Sequence, residues 1–300
     1  MKNYLSELDL DVEETMALLF RAKQLKAQRG EPRSELAGRH VALYFEKPSV
    51  RTRVSFTVAV HELGGQVIEL GPSNTKVGKG EDERDFAKVI GRYVHGLVAR
   101  VFSQDKLQSM AAYAGVPVIN ALSDERHPCQ ALADVLTIQE RKGELRGLRF
   151  AFVGEGNNVA TSTGLLLAAL GAQVRVASPA GYGLPPAVLD QAQGLAGTLT
   201  QVEDPVAAVR AADVVYTDTW ISMGQEAEAE ARRQIFGRYR VDQDLMRHAD
   251  DEAIVMHCLP AVRGEEIDGE LMYEERSALW DQAENRLHVQ KALLLELLAG

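Results

Sequence analysis

Short apolar runs alternate with helical patterns along almost the whole chain. The first apolar run, 41–45, is followed by helical spacing over 54–63 and by a second apolar run at 67–70. The same alternation restarts at 148–153, which precedes helical spacing over 159–170. Parallel strands that are connected by helices form sheets covered on both faces. The sequence therefore predicts an α/β fold with two doubly wound domains, each built on a parallel sheet.

Further strands and helices continue this pattern. Strands are expected at 97–101, 118–120, 174–177, 214–217 and 254–257, and helices at 82–92, 107–114, 128–140, 186–195, 204–211 and 285–298. The polar, charged segment 225–233 is expected to be either a mobile loop or a short exposed helix.

The length and the charge of the chain limit the classes of protein to consider. A length of 300 residues is typical of about two domains. A charged, glycine-containing run at 140–147 separates the two alternating halves, so we expect a first domain at 1–140 and a second at 141–284. A net charge of −10 disfavours nucleic acid or an anionic membrane as a partner.

The cysteines and the apolar runs bear on the location of the protein. Cys129 and Cys258 are far apart and lack the spacing of a zinc finger, so no structural zinc site is expected. Residues 1–11 are polar and acidic, unlike a secretory signal, and no apolar run is long enough to span a membrane. We therefore expect a protein of the reducing cytoplasm.

The segment 49–53, Ser-Val-Arg-Thr-Arg, lies between the first strand and the first helical pattern. A helix N-terminus offers free N–H groups and the positive end of the helix dipole, and arginine adds paired donors that match a phosphate. The Gly-x-x-x-x-Gly-Lys pattern of common nucleotide-binding loops is absent from the sequence. We expect the segment to bind phosphate, although a capped helix start with exposed arginines has the same composition.

Gly154-Glu155-Gly156 follows a predicted strand, as in dinucleotide-binding proteins. Val159 stands at the position of the third glycine, and no acidic residue ends the next strand. A tight turn is therefore favoured over NAD binding. Asn157 and Asn158 lie at the same strand end, where a helix cap and a ligand contact fit the sequence equally well.

Other chemically useful residues also follow predicted strands. Arg100 ends one strand, and His127 and Gln130 lie at the start of the helix after the next. Asp218 and Cys258 follow two strands of the second half. Each residue alone has an ordinary structural explanation, as a surface charge, a helix cap or a small core residue. Because open α/β sheets bind ligands at the carboxyl ends of their strands, the joint placement predicts a ligand-binding crevice.

Together, these motifs resemble the aspartate/ornithine carbamoyltransferases over nearly the whole chain. The resemblance is carried by Phe45-Glu46-Lys47-Pro48 with 49–53, by 127–130, by 218–224, by 257–260 and by Glu284-Asn285-Arg286. Ser-Met-Gly at 222–224 and His-Cys-Leu-Pro at 257–260 resemble the ornithine branch of that family. The resemblance implies a last helix, 285–300, that returns to the first domain. It also implies an active homotrimer, or a multiple of trimers, in which each subunit lends a loop to its neighbour.

The resemblance implies transfer of a carbamoyl group from carbamoyl phosphate to the side-chain amine of L-ornithine, without a metal or an organic cofactor. It implies that carbamoyl phosphate is bound by Ser49, Val50, Arg51, Thr52, Arg53, Ser73, Arg100, His127, Gln130, Cys258, Leu259 and Arg286. It implies that ornithine is bound by Asn158, Asp218, Ser222, Met223, Cys258 and Leu259. The catalytic residues would be Arg100, His127 and Cys258. Either Cys258 or the departing phosphate would take the proton of the amine.

The chain departs from the family pattern at two positions. Val50 stands where the phosphate motif usually has a threonine, which removes one hydroxyl but leaves the backbone N–H groups. Ser73 aligns with a glutamine of the loop that subunits exchange. Lys76 or Lys79 would compensate for that glutamine, and their replacement by alanine should then raise the KM for carbamoyl phosphate.

Other functions fit parts of the sequence. Aspartate as the amine would need cationic partners where Asp218 stands, putrescine would not use Asn158, and acetylornithine lacks the ammonium group that Asp218 would bind. A nicotinamide-dependent oxidoreductase depends on Gly154 and Gly156 alone. A noncatalytic regulator of the same fold would not need the complete cationic set. The sequence is compatible with arginine biosynthesis and with catabolic use of citrulline.

Overall fold

The structure is a computed structural model that describes residues 2–71, 77, 80–221 and 226–299. The chain divides into two compact units: unit 1 is Met1–Ala133 with Arg286–Gly300, and unit 2 is Asp134–Asn285. Each unit contains one parallel sheet with helices, so the predicted α/β fold class is confirmed. Among the helices described, none is both long enough and apolar enough for a membrane span.

Unit 1 is built on a four-stranded parallel sheet. Its elements are α1 (Val12–Ala27), β1 (His40–Phe45), α2 (Val50–Glu62), β2 (Gln66–Leu70), α3 (Glu83–Ile90), β3 (Gly96–Arg100), α4 (Gln104–Tyr113), β4 (Val118–Leu122) and the beginning of α5 (Pro128–Lys142). The strand order is β2-β1-β3-β4, so the winding direction reverses between β1 and β3. Phe45 at the end of β1 pairs with Arg100 at the end of β3. This reversal point is where an open α/β sheet binds ligands.

Three of the four strands of unit 1 are buried as a doubly covered sheet requires. β3 and β4 are buried along their whole length, and β1 is buried after its first residue. Such continuous apolar runs are typical of parallel strands with both faces covered. The edge strand β4 is extended by an isolated parallel bridge between Ile119 and Tyr4, which occupies backbone groups that an open edge would expose.

Unit 2 is built on a five-stranded parallel sheet. After the remainder of α5 come β5 (Arg149–Val153), α6 (Asn158–Ala169), β6 (Gln173–Ala177), α7 (Pro186–Ala192), β7 (Thr198–Val202), α8 (Pro205–Val209), β8 (Val214–Thr217), α9 (Ala229–Phe236), α10 (Gln243–Met246), β9 (Ile254–His257) and α11 (Leu279–Leu298). The strand order is β7-β6-β5-β8-β9, so the winding direction reverses between β5 and β8. A ligand site is therefore expected beyond the ends of these two strands.

Helix α11 supplies the last part of unit 1, as the resemblance implied. Lys291 of α11 donates to Glu62 at 2.8 Å, and Arg21 of α1 pairs with Glu296 at 3.2 Å. The helix begins at Leu279, six residues before the predicted start at Asn285. Apolar periodicity alone did not detect this first turn and a half.

Other elements also differ from the prediction, and the helices α1 and α10 were not predicted at all. α2 begins at Val50 instead of Val54, because Ser49 caps it and the first turn contains polar residues that apolar spacing does not register. β7 was not predicted, since the exposed side of this edge strand is occupied by threonine and glutamine. For the segment 225–233, the short-helix alternative agrees with the structure, because α9 begins at Ala229.

Candidate active site

The N-terminus of α2 has the features of an anion site. Ser49 caps the helix through its Oγ, which accepts from the Thr52 N–H at 3.4 Å. The first turn carries no acidic side chain, so the positive end of the helix dipole is not neutralised there. Val50, at the position of the missing threonine, is 77% exposed. The predicted phosphate segment is therefore at the beginning of a capped helix beside the reversal point of the sheet.

The two arginines of this segment have different surroundings. Arg51 is exposed. Arg53 is partly buried, donates to Glu69 at 2.7 Å and has its guanidinium 5.5 Å from the centre of the Phe45 ring. Glu69 is itself an exposed surface residue, so the Arg53–Glu69 pair is the kind of ion pair that contributes little to stability.

A buried cationic cluster lies in the same unit. The Arg286 guanidinium donates to the Thr52 hydroxyl, which is fully buried. Burial lowers the pKa of His127 well below its usual value, and the nearby cations of Arg286 and Arg100 lower that pKa further. The imidazole of His127 is therefore neutral near pH 7 and offers one N–H donor between two permanent cations.

The start of α5 places His127 and Gln130. Pro128 is the first residue of the helix, where its missing N–H is not needed, and the Gln130 N–H donates to the His127 carbonyl at 3.0 Å. Gln130 is 1% exposed. Cys129 between them is a core residue: its Sγ donates to the Asn120 carbonyl at 3.3 Å, and burial raises its pKa to about 12.

In unit 2, polar side chains meet beyond β5 and β8. Asn157 caps α6, because its Oδ1 accepts from the N–H groups of Val159 and Ala160, both at 3.0 Å. Its Nδ2 donates to Asp218 Oδ2 at 2.8 Å. Asn157 is thus both the helix cap and a support for the predicted carboxylate. Asn158 is the first residue of α6 and is partly buried.

The Asp218 carboxylate is held from three directions. Besides the Asn157 amide, Oδ1 accepts from the Thr219 N–H at 2.8 Å and from Cys258 Sγ at 3.0 Å. Asp218 is 8% exposed. A thiolate at that distance would put two negative charges in contact, so the geometry is that of a neutral thiol that donates to a carboxylate.

The residues after β9 form a fixed turn. Leu259 has φ of 60°, a left-handed conformation that is uncommon for a leucine. Its N–H donates to His257 Nδ1 at 2.8 Å, so Nε2 carries the proton and donates to Glu266 Oε1 at 3.0 Å. Both His257 and Glu266 are fully buried, and Glu266 Oε1 also accepts from the Val262 N–H at 2.6 Å.

Asp218, His257 and Cys258 place donor atoms within 4.8 Å of one another, a grouping that a metal ion could use. Both ring nitrogens of His257 already have partners in the turn and in Glu266. A metal ion would have to replace one of these hydrogen bonds. The arrangement therefore suits orientation of the turn better than metal ligation.

The turn after β5 contains the glycines that suggested NAD binding. A Cβ on Gly156 would lie 2.3 Å from the Leu184 backbone nitrogen, and the Gly156 N–H donates to the Tyr182 carbonyl at 2.8 Å. This close approach is made by the protein's own backbone instead of a pyrophosphate. Gly154 has φ of 149°, a backbone conformation that favours glycine, so a tight turn accounts for both glycines.

Sequence reasoning missed several residues of this region. Arg232 is 2% exposed, pairs with Glu155, and donates to the Trp220 carbonyl. Burial raises the pKa of Glu155, and the adjacent Arg232 opposes that rise. Tyr216 and Gln282 are also buried polar residues near Asp218 and Cys258. Apolar periodicity could not reveal them, because polar residues inside a core depend on partners distant in sequence.

Five residues named in the sequence analysis lie outside the part of the chain that the structure describes. They are Ser73, Lys76, Lys79, Ser222 and Met223. Within the described residues, unit 1 brings together Thr52, Arg100, His127 and Arg286. Unit 2 brings Asp218 and Cys258 together beyond the ends of β8 and β9.

The comparisons with known proteins concern the same two units. Residues 2–140 match the family model described as the carbamoyl-P binding domain of aspartate/ornithine carbamoyltransferase. Residues 146–297 match the Asp/Orn binding domain of that family. A curated protein from Gloeobacter violaceus named ornithine carbamoyltransferase is 54% identical over 296 residues, which cover 97% of this chain and 94% of that protein.

Solved structures agree with this match. The ornithine carbamoyltransferase from Pyrococcus furiosus superposes with a TM-score of 0.97 at 46% identity, covering 100% of this chain and 97% of that one. The enzyme of that name from Thermus thermophilus gives a TM-score of 0.91 at 42% identity, covering 99% of both chains. The chain therefore belongs to the aspartate/ornithine carbamoyltransferase family.

Proposed function

We propose that the protein is an ornithine carbamoyltransferase. It transfers the carbamoyl group of carbamoyl phosphate to the side-chain amine of L-ornithine and releases L-citrulline and phosphate. The observation that supports ornithine as the amine substrate is the Asp218 carboxylate, which Asn157 and Thr219 hold beside Cys258. A fixed carboxylate attracts a cationic amino group and repels the second carboxylate of aspartate.

Unit 1 binds carbamoyl phosphate in this proposal. The phosphate lies at the N-terminus of α2, where it is met by the backbone N–H groups and by the side chains of Ser49, Arg51, Thr52 and Arg53, with Val50 contributing only its backbone. Arg286 reaches the same ligand through its contact with Thr52. The family resemblance assigns Ser73, which lies outside the described residues, to the same ligand.

Arg100, His127 and Gln130 bind the carbamoyl group. Because His127 is neutral, its N–H donates to the carbamoyl oxygen without adding a charge, while Arg100 and Arg286 supply the positive field. Negative charge grows on that oxygen as the amine attacks, so these fixed donors stabilise the transition state more than the substrate. One donor of this kind supplies roughly 2.7–4 kcal/mol.

Unit 2 binds ornithine. Asn158 and Asp218, with Ser222 and Met223 of the segment outside the described residues, hold the α-amino and α-carboxylate groups. Cys258 and the Leu259 carbonyl lie beside the side-chain amine. The left-handed backbone of Leu259, which His257 and Glu266 fix, sets the direction of this carbonyl.

The amine must lose a proton during the reaction. Its pKa in water is about 10, so binding has to favour the neutral form. One C–N bond forms, the C–O bond to phosphate breaks, and the amine proton has to leave. Because the Cys258 thiol already donates to Asp218, its sulfur is not an anionic base. We therefore assign the proton to the departing phosphate, and assign Cys258 to orientation of the amine.

We also propose that the protein acts as a homotrimer in the cytoplasm, in arginine biosynthesis. Val50 and Val54, one helical turn apart on α2, are 77% and 53% exposed. Val50 belongs to the phosphate segment and Val54 directly follows it, so their exposed side chains suit a subunit contact that completes the site. A mass in solution of three times 32.9 kDa is expected.

The test is formation of carbamoylated product from carbamoyl phosphate with ornithine, aspartate, putrescine or acetylornithine in parallel. Turnover with ornithine alone is the expected result. Turnover with aspartate instead would contradict the role of Asp218. A folded, oligomeric protein that turns over none of the four amines would favour the noncatalytic regulator.

A further inference from the structure

A buried chain of hydrogen bonds in unit 2 ends at Cys258. Gln282 of α11 is fully buried, and its Oε1 accepts from the His257 N–H at 3.0 Å. Its Nε2 donates to Asp134 Oδ1 at 2.7 Å and to Tyr216 Oη at 2.8 Å. One amide thus connects the first residue of unit 2, a tyrosine of β8 and the backbone that precedes Cys258.

The direction of each hydrogen bond in this chain is determined. The His257 N–H can only donate, so the oxygen of the Gln282 amide must face it and Nε2 must face the other two groups. Nε2 has two hydrogens, and one goes to the Asp134 carboxylate, whose second oxygen accepts from Thr163 Oγ1 at 2.6 Å. The other hydrogen goes to Tyr216 Oη. The hydroxyl hydrogen of Tyr216 therefore points elsewhere.

That hydrogen has an acceptor in Cys258. The Gln282 amide binds both Tyr216 Oη and the backbone N–H of the residue before Cys258, which places the hydroxyl close to the Cys258 side chain, and the interaction with Cys258 contributes to the raised pKa of Tyr216. Because the single S–H hydrogen of Cys258 goes to Asp218, the sulfur can only accept from the Tyr216 hydroxyl, and the hydroxyl donates to it. The sulfur in turn donates to Asp218 Oδ1 at 3.0 Å. Burial, with Asp134 next in importance, raises the pKa of Tyr216 well above its usual value, so the hydroxyl keeps its hydrogen over the working pH range.

We propose that Tyr216 is a positioning residue for Cys258, and that Gln282 and Asp134 set the direction of its hydroxyl. The inference deepens the proposed function and rests on it for the place of Cys258 beside the ornithine amine. A donor on one side of the sulfur and an acceptor on the other fix both the S–H bond and the remaining lone pair. The lone pair is thereby kept in one direction for the amine of the substrate.

The test uses Tyr216→Phe, which removes the hydroxyl and keeps the ring that stacks on Phe152 at 5.5 Å. Tyr239→Phe is the matched control, since Tyr239 is also fully buried and donates to a backbone carbonyl, that of Glu203, at 2.6 Å. Gln282→Glu is the second variant. Its carboxylate takes the Tyr216 hydrogen away from the sulfur but leaves the tyrosine in place.

The measurement is the rate of alkylation of Cys258 by iodoacetamide, followed by mass spectrometry from pH 6 to 10 without substrates. Cys129 is buried, with a pKa of about 12, and is not expected to react. The titratable groups that face Cys258 are Asp218, His257 and, beyond Asp218, Glu155, and all variants retain them. Gln282→Glu adds a carboxylate beside Asp134, which slows alkylation by its charge as well, so Tyr216→Phe, which changes no charge, decides the test. A hydrogen bond donated to sulfur favours the thiolate, which is the reactive form.

Tyr216→Phe and Gln282→Glu should both lower the alkylation rate near pH 8 by about tenfold, and shift the rate profile to higher pH. Tyr239→Phe should follow the wild-type profile. In citrulline formation, Tyr216→Phe and Gln282→Glu should lower kcat and leave the KM for carbamoyl phosphate within about twofold. A general loss of stability does not lower kcat in this way while the KM stays unchanged.

An alkylation profile of Tyr216→Phe that superposes on those of the wild type and Tyr239→Phe would overturn the inference. The alkylation assay needs no turnover, so it separates two kinds of failure. A shifted profile together with a wild-type protein that makes no citrulline would support the hydrogen-bonded chain and reject the proposed function. An unshifted profile with full activity would reject the chain and leave the function intact.

Discussion

The guanidinium of Arg286 donates to the hydroxyl of Thr52, although the two residues are 234 positions apart in the sequence. The contact joins the last helix of the chain to the N-terminus of α2, inside unit 1. It places a permanent cation beside the phosphate segment, which no acidic residue of the first helical turn neutralises. The end of the chain therefore contributes directly to the candidate anion site.

Replacement of Thr52 by valine tests this contact, since valine keeps the shape of the side chain and removes the hydroxyl. We expect kcat/KM for carbamoyl phosphate to fall roughly ten- to a hundredfold. This factor corresponds to a loss of about 1.5–3 kcal/mol of transition-state stabilisation, because a buried hydrogen bond to a charged group is lost. Steady-state kinetics with saturating ornithine measures the effect.

Ser55→Ala is the control for Thr52→Val, because Ser55 lies on the same helix and donates only to the Thr52 carbonyl at 3.2 Å. It should leave kcat/KM within about twofold. Equal kinetics for Thr52→Val and the wild type would remove the contact from the binding of carbamoyl phosphate.

Arg100→Ala should lower kcat far more than it raises the KM for ornithine. Arg100 ends β3 in unit 1 and acts on the pKa of His127, so its charge is directed at the carbamoyl half of the site. Loss of one transition-state donor predicts a fall of about a hundredfold or more in kcat. An unchanged kcat would exclude Arg100 from the mechanism.

Much of this arrangement could be predicted from sequence because strands and their carboxyl ends are local features. Arg100, His127, Asp218 and Cys258 each follow an apolar run, and a parallel sheet brings strand ends to one edge. The capped start of α2 was recognisable as a hydroxyl and arginines after a strand, even though its apolar spacing begins only at Val54. The local pattern therefore placed the candidate residues before any contact was known.

The supporting contacts could not be predicted in that way. Gln282 contacts Asp134 and Tyr216, which lie 148 and 66 positions away, and nothing in its own segment distinguishes it from an exposed glutamine. The Leu259 N–H occupies Nδ1 of His257 and leaves Nε2 for Glu266, and a leucine in the sequence gives no sign of the left-handed backbone that Leu259 adopts. Hydrogen bonds between buried groups that are distant in sequence form only in the packed tertiary structure, so local sequence propensity does not predict them.

His127 should make the stability of the protein depend on pH. Burial and the cations of Arg286 and Arg100 hold its pKa in the folded protein well below the value of about 6.5 for an unfolded chain. Between those two values the unfolded state binds more protons than the native state, so the free energy of unfolding falls as the pH drops below about 6.5. The contribution of His127 is complete above that pH.

His127→Gln removes this titration and keeps a hydrogen-bonding side chain. Urea unfolding of the variant between pH 7 and pH 5 should show a flatter dependence of the unfolding free energy on pH than that of the wild type. Between the folded and unfolded pKa values of His127, each pH unit changes the free energy of unfolding by at most about 1.4 kcal/mol, because one proton is involved. Parallel curves for the two proteins would mean that another group carries the dependence.

Glu266→Ala should weaken ornithine binding indirectly, through the residues that hold the turn at Leu259. The fully buried carboxylate accepts from His257 Nε2 and from the Val262 N–H, and through His257 it fixes the Leu259 N–H. Removal leaves two buried donors without this acceptor, so the free energy of unfolding should fall by about 2–5 kcal/mol. The left-handed turn at Leu259 would no longer be held, so the KM for ornithine should rise while that for carbamoyl phosphate stays near the wild-type value.

Glu265→Ala is the matched control for this change, because Glu265 is the adjacent glutamate and its carboxylate pairs with the partly exposed Arg233 at 2.9 Å. Such a surface pair contributes at most about 1 kcal/mol, so both stability and the ornithine KM should change little. The comparison separates loss of the buried hydrogen bonds from loss of a negative charge in this part of unit 2. If both variants raise the ornithine KM equally, electrostatics governs the effect, and the turn at Leu259 is not positioned by Glu266.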